Sequence, residues 1–488
     1  MKNATLYLPG FHLATLRRRP RSASQKLADQ FAEIRRKSIS QLAACFVHFI
    51  PDQALKPHRS GAQSRRRLFS KENTFWGFFT QILNADSGCS EVVRKFHAFA
   101  ASRSMDRPSS STSGYCQARQ RFKESDLESI LAHTTLQLAQ RDTGKSLQDR
   151  RVIVVDGTGL SMPDTAENQQ IWPQTTQQNP GCGFPQAYMC ACFNLQTGAL
   201  LSYELGNKKS HELLLLRDQW ETFEAGDIFL GDKGFSSFYD VYKFKDQGVD
   251  SVITLARRHP ITANNADQIL GDDDLLIHWP KPKWSKRLSY SKAEWEALPE
   301  KLPLRQIKVH VQEPGYRTQS FFIITTLTDA NVFSANDVAG LYLQRWDVEL
   351  FFRDIKTTLG MDILRCKSPS MVRKEILMHF IVYNCLRLLM VKAADQVDVP
   401  VRMISFKASI QTLRQWEPLW KSDMSAAEQA RLLSLLCDSI AASIIYSRPG
   451  RREPRCMKRR PKNFQRMTRP RHEMRETLHR SKSRAGEA

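Results

Sequence analysis

The stretch LYLQRWDVELFFRDIKTTLG, Leu341–Gly360, decides how the rest of the chain is interpreted. It has no proline, its internal positions carry no glycine, and Thr357, Thr358 and Gly360 act as stop signals, so it predicts one helix. At about 100° per residue, four polar side chains fall on one narrow stripe of that helix: Tyr342, Arg345, Glu349 and Lys356. The side chains that flank the stripe are apolar: Trp346, Val348, Leu350, Phe351, Phe352 and Ile355. Since a helix that is apolar on most sides is mostly buried, the stripe is expected to face a wet groove or a polyanion.

The polar stripe has two interpretations. A carboxylate among Arg, Lys and Tyr suits a metal ion whose substrate is a phosphodiester backbone. Alternatively, the helix is buried and Glu349 makes ordinary salt bridges with Arg345 and Arg353, each four residues away. The helix taken by itself does not choose between them.

The net charge of the chain points to a polyanion. The 488 residues include 72 Lys and Arg against 50 Asp and Glu, a formal charge of +22. Such an excess favours nucleic acid as a partner, with an anionic membrane second and a generally basic surface as the plain alternative. The length predicts two to four domains, and 41% hydrophobic residues is typical of a folded protein.

Cysteines and apolar stretches bear on the compartment. The ten cysteines show no zinc-binding spacing, and Cys190 and Cys192 are expected on one face of a strand as small hydrophobic side chains. Reduced cytosolic thiols are the simplest account. Residues 1–19 make a poor signal peptide, and the apolar window Ile376–Val391 contains charged side chains that interrupt it. We therefore predict a cytoplasmic protein with no membrane partner.

Composition and periodicity divide the chain into six predicted segments: a helical N-terminal DNA-binding domain (1–147), the first part of a catalytic core (148–256), a β-rich insertion (257–332), the second part of the core (333–395), a helical C-terminal region (396–447) and a basic, disordered tail (448–488). Ser22–Val47 is the first helix expected in the N-terminal region. The alternative for that region is a helical packing domain whose charges are solvated.

Two apolar strands each lead into an aspartate. Val152–Val155 is followed by Asp156, and Asp227–Leu230 is followed by Gly231 and Asp232. A hairpin, Gln186–Leu195 with Leu200–Leu205, is expected between them. Active-site residues gather at such strand ends, because the sheet holds them rigid while the loop exposes them.

Three carboxylates on rigid elements suit phosphodiester chemistry, which is mainly an electrostatic problem solved by two metal ions. Asp156, Asp232 and Glu349 meet this description. An aspartate at a strand end is also a common cap or turn residue. The Asp156-Gly157-Thr158 sequence also suggests the aspartyl nucleophile of haloacid-dehalogenase phosphatases, although those enzymes usually have a second Asp where Thr158 stands.

Taken together, the three segments resemble bacterial insertion-sequence transposases of the DDE type, in the group defined by a YREK signature (the insertion sequence four group). That signature is Tyr, two residues, Arg, three residues, Glu, six residues and Lys. Its residues are matched, with every gap, by Tyr342, Arg345, Glu349 and Lys356. VIVVDGTGL and GDKGF resemble the two aspartate segments of the family, and the order Asp, Asp, β insertion, Glu also agrees.

The resemblance implies an α/β fold with an RNase H-like catalytic core that is interrupted by a mainly β insertion and flanked by helical N-terminal and C-terminal regions. It implies that two Mg²⁺ ions, with Mn²⁺ as an alternative, are held by Asp156, Asp232 and Glu349. It also assigns DNA contacts. Phosphates would be gripped by Tyr342, Arg345 and Lys356, a flipped base would stack on Trp284, and the same DNA would be touched by Arg257 and Arg258. Trp279 and Trp295 compete with Trp284 for the stacking role.

The implied function is metal-dependent strand cleavage and strand transfer of an insertion sequence by a cut-and-paste route. The expected partners are double-stranded DNA, as terminal inverted repeats and as target, and a second copy of the chain in a homodimer. The expected location is the cytoplasm of a bacterium, at the nucleoid. Two alternatives remain at this point: a catalytically silent DNA-binding descendant or repressor, and a nuclease on the same fold.

Overall fold

A computed structural model describes most of the chain between Cys45 and Tyr446. The described residues are 45–46, 49–61, 68–84, 88–102, 109–142, 147–207, 210–255, 261–285, 290–310, 320–420, 424–446, 467–470 and 472–474. Arg257 and Arg258, nearly all of the predicted helix Ser22–Val47 and most of the predicted tail lie outside them.

The strands of the described chain form one mixed sheet. Their bounds are β1 (Val152–Ser161), β2 (Gln186–Asn194), β3 (Leu200–Asn207), β4 (Ile228–Gly231), β5 (Asp250–Thr254), β6 (Gln268–Gly271), β7 (Asp274–Pro280), β8 (Lys301–His310) and β9 (Ser320–Thr325). The order is β3-β2-β1-β4-β5-β9-β8-β7-β6. Strands β1, β2 and β3 pair antiparallel, whereas β1, β4 and β5 run parallel.

Strand β1 separates two hydrophobic cores. Val152 and Val154 face the first core, which also contains the N-terminal and C-terminal helices, whereas Ile153 and Val155 face the second core. All four side chains are buried. A continuous apolar run is what a strand covered on both faces requires, because successive side chains point to opposite sides. The predicted strand is confirmed and continues six residues further, to Ser161.

The predicted hairpin is confirmed as β2 and β3. It turns at Gly198, whose φ of +67° favours glycine, and a Cβ atom there would collide with the guanidinium of Arg387. Cys190 and Cys192 both lie in the second core, as expected for one face of a strand. The cysteines in the described part of the chain are all free thiols.

The predicted β insertion is not a separate sheet. Strand β9 pairs antiparallel with β5, placing Val252 opposite Thr325, so β6 to β9 extend the sheet that carries the predicted catalytic strands. Within this part, the buried guanidinium of Arg305 donates to both carboxylate oxygens of Asp274, at 2.7 and 2.5 Å. This bidentate pair ties β8 to β7.

Helices precede, interrupt and follow the strands along the described part of the chain. Their bounds are α1 (Asp52–Leu55), α2 (Lys71–Leu83), α3 (Cys89–Ser102), α4 (Ser113–Arg121), α5 (Glu124–Ala139), α6 (Ala166–Ile171), α7 (Glu212–Arg217), α8 (Phe238–Asp246), α9 (Lys292–Glu296), α10 (Ala335–Leu343), α11 (Asp347–Arg353), α12 (Pro369–Gln396), α13 (Phe406–Trp416) and α14 (Ala426–Ala441). A single helix expected over Leu213–Phe223 is instead α7 followed by a 3₁₀ turn at Trp220–Thr222.

Helix α12 packs against helices from both the N-terminal and the C-terminal regions. It packs against α2 and α5 from the N-terminal region and against α14 from the C-terminal region, within the first core. By length and hydropathy alone it could cross a membrane, but 94% of its most apolar window is buried inside the protein. Asn384, in the middle of α12, accepts from the backbone N–H of Leu200 at 3.0 Å and so fixes the helix against β3.

The stretch Leu341–Gly360 is helical but not one regular α-helix. The last turn of α10 leads into a 3₁₀ segment (Gln344–Trp346), then α11, then a π segment (Asp354–Thr358), and the helix ends before Gly360 at φ +80°. Among the expected apolar flanks, burial is confirmed for Val348, Phe351, Phe352 and Ile355. Trp346 and Leu350 are 45% and 43% exposed, so their predicted burial was wrong.

Candidate active site

Asp156 and Asp232 lie at the same level of two neighbouring strands. Strand β1 pairs in parallel with β4, and Val154 stands opposite Leu230. Each aspartate comes two residues after this pair, Asp156 within β1 and Asp232 directly after β4. The parallel pairing therefore brings together the two aspartates that the sequence singled out.

Backbone amides orient both carboxylates. The N–H of Gly157 donates to Asp156 Oδ1 at 2.8 Å, and the N–H of Gly234 donates to Asp232 Oδ1 at 2.7 Å. Asp232 thereby caps the 3₁₀ turn Lys233–Phe235. The cap role considered from the sequence is thus real for Asp232, and it leaves the second carboxylate oxygen outside that hydrogen bond.

Arg345 lies between Asp156 and Glu349. Its Nη1 is 4.0 Å from Asp156 Oδ2, and its Nη2 is 4.0 Å from Glu349 Oε1. The Arg345 residue is 8% exposed, and its Nε has no hydrogen-bond partner among the described residues. The i,i+4 salt bridge expected in the plain interpretation exists, but the same guanidinium also reaches the strand that carries Asp156.

Burial raises the pKa of Asp156 to about 6. Negative charge at Asp232 and Glu212 raises it further, whereas the Gly157 amide and the Arg345 guanidinium oppose the shift. Loss of water around a carboxylate disfavours its charged form, and a nearby cation favours it. A cation beside Asp156 therefore favours the charged form of this carboxylate.

Lys356 and Tyr342 also reach the strand ends. Lys356 Nζ donates to Thr158 Oγ1 at 2.8 Å and to the carbonyl of Gly159 at 2.9 Å. The hydroxyl of Tyr342 bonds with that of Thr254, the last residue of β5, at 3.0 Å. Burial lowers the pKa of Lys356 and raises that of Tyr342. Arg345 and Lys356 thus reach β1, Tyr342 reaches β5, and Glu349 lies beside Arg345. Tyr342 and Arg345 are buried rather than open to a groove.

The predicted DNA-contacting tryptophan is not grouped with these residues. Trp284 is half-buried against the second core, and its Nε1 donates to the carbonyl of Tyr290 at 3.3 Å. Trp295 is buried, and Trp279 packs against Phe238 with ring centroids 5.7 Å apart. A stacking role for Trp284 stays a prediction, as do DNA contacts by Arg257 and Arg258.

Glu212 is the acidic residue that the sequence interpretation missed. It begins α7, its carboxylate accepts from the hydroxyl of Tyr188, and it packs against Gly157 and Gly234. The sequence offers one signal for it, an acidic residue at the first position of a helix shortly after a strand. Its proximity to Gly157 and Gly234, which are distant in sequence, depends on tertiary structure, which local patterns do not encode.

The chemistry of these donors fits a divalent cation. Asp156, Asp232 and Glu349 offer only carboxylate oxygens, the ligands that Mg²⁺ prefers. Among the described side chains, however, no group of three or more His, Cys, Asp or Glu is close enough to hold a metal ion. Arg345 stands between two of the carboxylates and compensates their charge. Cation binding by all three would therefore require the carboxylates to move closer together.

Comparison with known proteins agrees with the carboxylate pattern. Residues 147–385 match the family model of the transposase DDE domain. This DDE domain contains all three candidate carboxylates, the strands β1 to β9 and most of α12. It begins within one residue of the predicted core and includes the predicted insertion.

Two transposases of insertion sequence elements are similar to parts of the chain. The transposase InsG of the insertion sequence element IS4 from Escherichia coli (strain K12) is 24% identical over 411 residues, which is 81% of this chain and 87% of that protein. A probable transposase for the element IS5377 from Geobacillus stearothermophilus is 36% identical over 106 residues, 22% of this chain and 27% of that protein. The DDE domain and the InsG relative support an insertion-sequence DDE transposase.

One solved structure is also similar to the chain. It is a cryo-EM structure of the piggyBac transposase synaptic complex with hairpin DNA. The likeness covers 82% of this chain and 85% of that chain, with 11% identity and a TM-score of 0.39.

Proposed function

We propose that the chain is a DNA transposase that cleaves the ends of an insertion sequence and joins them to target DNA by a cut-and-paste route. The observation that carries this proposal is the position of Arg345, 4.0 Å from both Asp156 and Glu349, while Asp232 lies level with Asp156 on the adjoining strand. The match of residues 147–385 to the DDE domain supports it. The spacing of Tyr342, Arg345, Glu349 and Lys356, which resembles the YREK signature, also supports the proposal.

Asp156, Asp232 and Glu349 are the residues that would hold two Mg²⁺ ions, or Mn²⁺ in their place. Such ions, when bound, stabilise charge on the attacking and leaving oxygens of an in-line displacement at phosphorus. The contribution of the protein is to hold the carboxylates on rigid elements. For two of them this is done by the backbone amides of Gly157 and Gly234.

Arg345 and Lys356 are proposed to receive the DNA phosphates. Without DNA, Arg345 compensates two carboxylates at 4.0 Å, beyond hydrogen-bonding distance, and therefore keeps donors for an incoming phosphate. Lys356 would exchange Thr158 and Gly159 for phosphate oxygens. Tyr342 is buried against Phe321, so only its hydroxyl edge would take part. These three side chains would align the scissile strand with the carboxylates.

The fold around the site supports the RNase H-like part of the proposal. Strands β3-β2-β1 are antiparallel and β1-β4-β5 parallel, with Asp156 in β1 and Asp232 directly after β4. The helices within 1–147 are proposed to bind terminal inverted repeats, and the basic segment 448–488 to add salt-sensitive phosphate affinity. Trp284, Arg257 and Arg258 are proposed as further DNA contacts. The working unit is proposed to be a homodimer on two DNA ends, acting in the cytoplasm at the nucleoid.

The test is a cleavage assay on DNA that carries the inverted repeats flanking the gene. With Mg²⁺ the wild type should nick these ends and give strand-transfer products, whereas EDTA should abolish both. Asp156→Asn, Asp232→Asn and Glu349→Gln should lose cleavage and keep DNA binding. Asp438→Asn, which changes an exposed carboxylate of α14, is the matched control and should cleave normally.

Other outcomes separate the alternatives. Binding without any divalent-dependent nicking would indicate a silent descendant or repressor. Nicking without strand-transfer products would indicate a nuclease. Cleavage that survives Glu349→Gln would remove the proposed carboxylate set.

A further inference from the structure

Glu212 packs against two glycines that are distant from each other in sequence. A Cβ atom at Gly157 would lie 2.9 Å from Glu212 Cδ and 3.0 Å from its Cγ, and one at Gly234 would lie 3.1 Å from its Oε2. The Glu212 side chain therefore occupies the space that a side chain at position 157 would need. At position 234 a Cβ atom would also lie 2.9 Å from Asp232 Oδ1, so two carboxylates restrict that position. Gly157 directly follows Asp156, and Gly234 comes two residues after Asp232.

The same two glycines hold the aspartates. The N–H of Gly157 donates to Asp156 Oδ1, and the N–H of Gly234 donates to Asp232 Oδ1. A shift of either glycine would therefore move the amide that orients the neighbouring carboxylate. One side chain, Glu212, is in contact with both of these anchoring points.

Glu212 lies on the opposite side of β1 from the Asp156 side chain. Because successive residues of a strand point to opposite faces, Gly157 shares the face of Ile153 and Val155, which belong to the second core. Asp156 shares the other face with Val154. Glu212 therefore reaches the aspartates through the backbone and is not placed to be a fourth ligand beside Asp156.

Glu212 is itself held in place. The hydroxyl of Tyr188 donates to Glu212 Oε1, and Tyr188 stands opposite Gly159 in the β1–β2 pairing. Helix α7, which begins with Glu212, packs on β2, on β3 and on the turn Lys233–Phe235. The carboxylate is thus fixed between β2 and the turn that follows β4.

We propose that Glu212 is a positioning residue that sets the relative placement of Asp156 and Asp232 through Gly157 and Gly234. The proposal rests on the proposed function, in which the two aspartates are catalytic. Glu212 would act by contact and not by charge. Its side chain lies over the α-carbons of Gly157 and Gly234, and the hydroxyl of Tyr188 holds it there. It also accounts for the glycine at position 157, and at position 234 Glu212 acts together with Asp232 to leave little room for a side chain.

The first experiment measures single-turnover cleavage of inverted-repeat DNA at saturating protein, on variants that are folded at the assay temperature. Glu212→Ala should cut at least about tenfold more slowly with the dissociation constant for DNA unchanged. Glu212→Gln keeps the shape and should stay within about threefold of the wild type. Tyr188→Phe should fall between them. Glu221→Ala, an exposed glutamate on the next turn, is the control.

Two results would overturn the proposal. One is Glu212→Ala cleaving within about twofold of the wild type. The other is Glu212→Gln losing as much activity as Glu212→Ala, because that would assign the effect to charge. A purely stabilising role would lower the unfolding midpoint of Glu212→Ala and leave its cleavage rate below that midpoint unchanged, so the rate itself distinguishes positioning from stability.

The second experiment needs no activity. Unfolding midpoints are measured for Gly157→Ala, Glu212→Ala and the double variant. Gly157→Ala should lower the midpoint at most half as much when Glu212 is already alanine, because the clash is gone. Additive effects would overturn the contact. If the wild type itself does not cleave, the proposed function fails. The unfolding midpoints of the single and double variants then still decide whether Glu212 contacts Gly157.

Discussion

The guanidinium of Arg345 lies 4.0 Å from the carboxylate of Asp156, a residue of another element that it meets only through the fold. The same guanidinium reaches Glu349 on its own helical stretch. A single cation thus compensates two of the three candidate carboxylates in the free protein. Any event that draws Arg345 away leaves those carboxylates in need of another positive charge.

Arg345→Ala should reduce end-specific cleavage more than removal of residues 448–488 does. The substitution removes a buried cation beside the carboxylates, whereas the tail would supply only nonspecific affinity. A gel assay on terminal-repeat DNA compares the two variants. Arg353→Ala, at a side chain that is 59% exposed on the same stretch, is the matched control. The reverse order of the two effects would contradict the role given to Arg345.

Glu349→Gln should abolish strand cleavage with little effect on folding. The Glu349 side chain is 52% exposed and its pairing with Arg345 spans 4.0 Å, so its loss should change the free energy of unfolding by less than about 0.5 kcal/mol. Thermal unfolding and nicking are measured on the same preparation. A large fall in the unfolding midpoint would mean that Glu349 has a structural role instead.

Asp354→Asn should stabilise the protein at neutral and higher pH. Burial raises the pKa of Asp354 to about 6, and its side chain is 12% exposed. Since this pKa exceeds the unfolded value, the native state binds more protons between about pH 4 and 6, and stability falls as pH rises through that window. The gain on substitution should be about 1–3 kcal/mol at pH 8 and vanish near pH 4.

Denaturant unfolding at several pH values checks this expectation. Asp362→Asn, which alters an exposed carboxylate a short distance along the chain, is measured in parallel as the control. An Asp354→Asn effect of equal size at pH 4 and pH 8 would show that the buried charge is not its cause.

Lys356→Ala should weaken the binding of end DNA in a salt-dependent manner. If Lys356 contacts one phosphate, the slope of log K against log salt concentration should fall by about one. Binding is measured over a series of salt concentrations. Lys292→Ala, whose ammonium is paired with Glu296 at 3.3 Å on the distant helix α9, should leave the slope unchanged. An unaltered slope for Lys356→Ala would mean that Lys356 bonds with Thr158 and Gly159 and contacts no phosphate.

Several features were predictable because their causes are local. The apolar run before Asp156 predicted a buried strand, and the Gln196-Thr197-Gly198 turn predicted the hairpin. The stripe of Arg345, Glu349 and Lys356 followed from helical periodicity. In the structure Arg345 and Lys356 reach β1, and Glu349 lies beside Arg345.

Other features depend on contacts that a sequence pattern does not contain. Trp346 and Leu350 are apolar but exposed, because burial depends on which elements pack against a side chain and not on its apolarity alone. The pairing of β9 with β5 depends on hydrogen bonds between segments separated by the insertion. The contact of Glu212 with Gly157 and Gly234 requires helix α7, strand β1 and the turn after β4 to meet, which spacing along the chain does not reveal.

The pairing of β9 with β5 also limits how this protein can be shortened. If the region between Ile261 and Thr325 were excised, the N–H of Leu255 would lose the carbonyl of Phe322 and Ile253 would lose its partner Ile324, so this side of β5 would become an unpaired edge of the sheet. An unpaired sheet edge of this kind pairs with strands of other chains and leads to aggregation. Trimmed versions intended for crystallisation or engineering should therefore retain β9, even when the outer strands are removed.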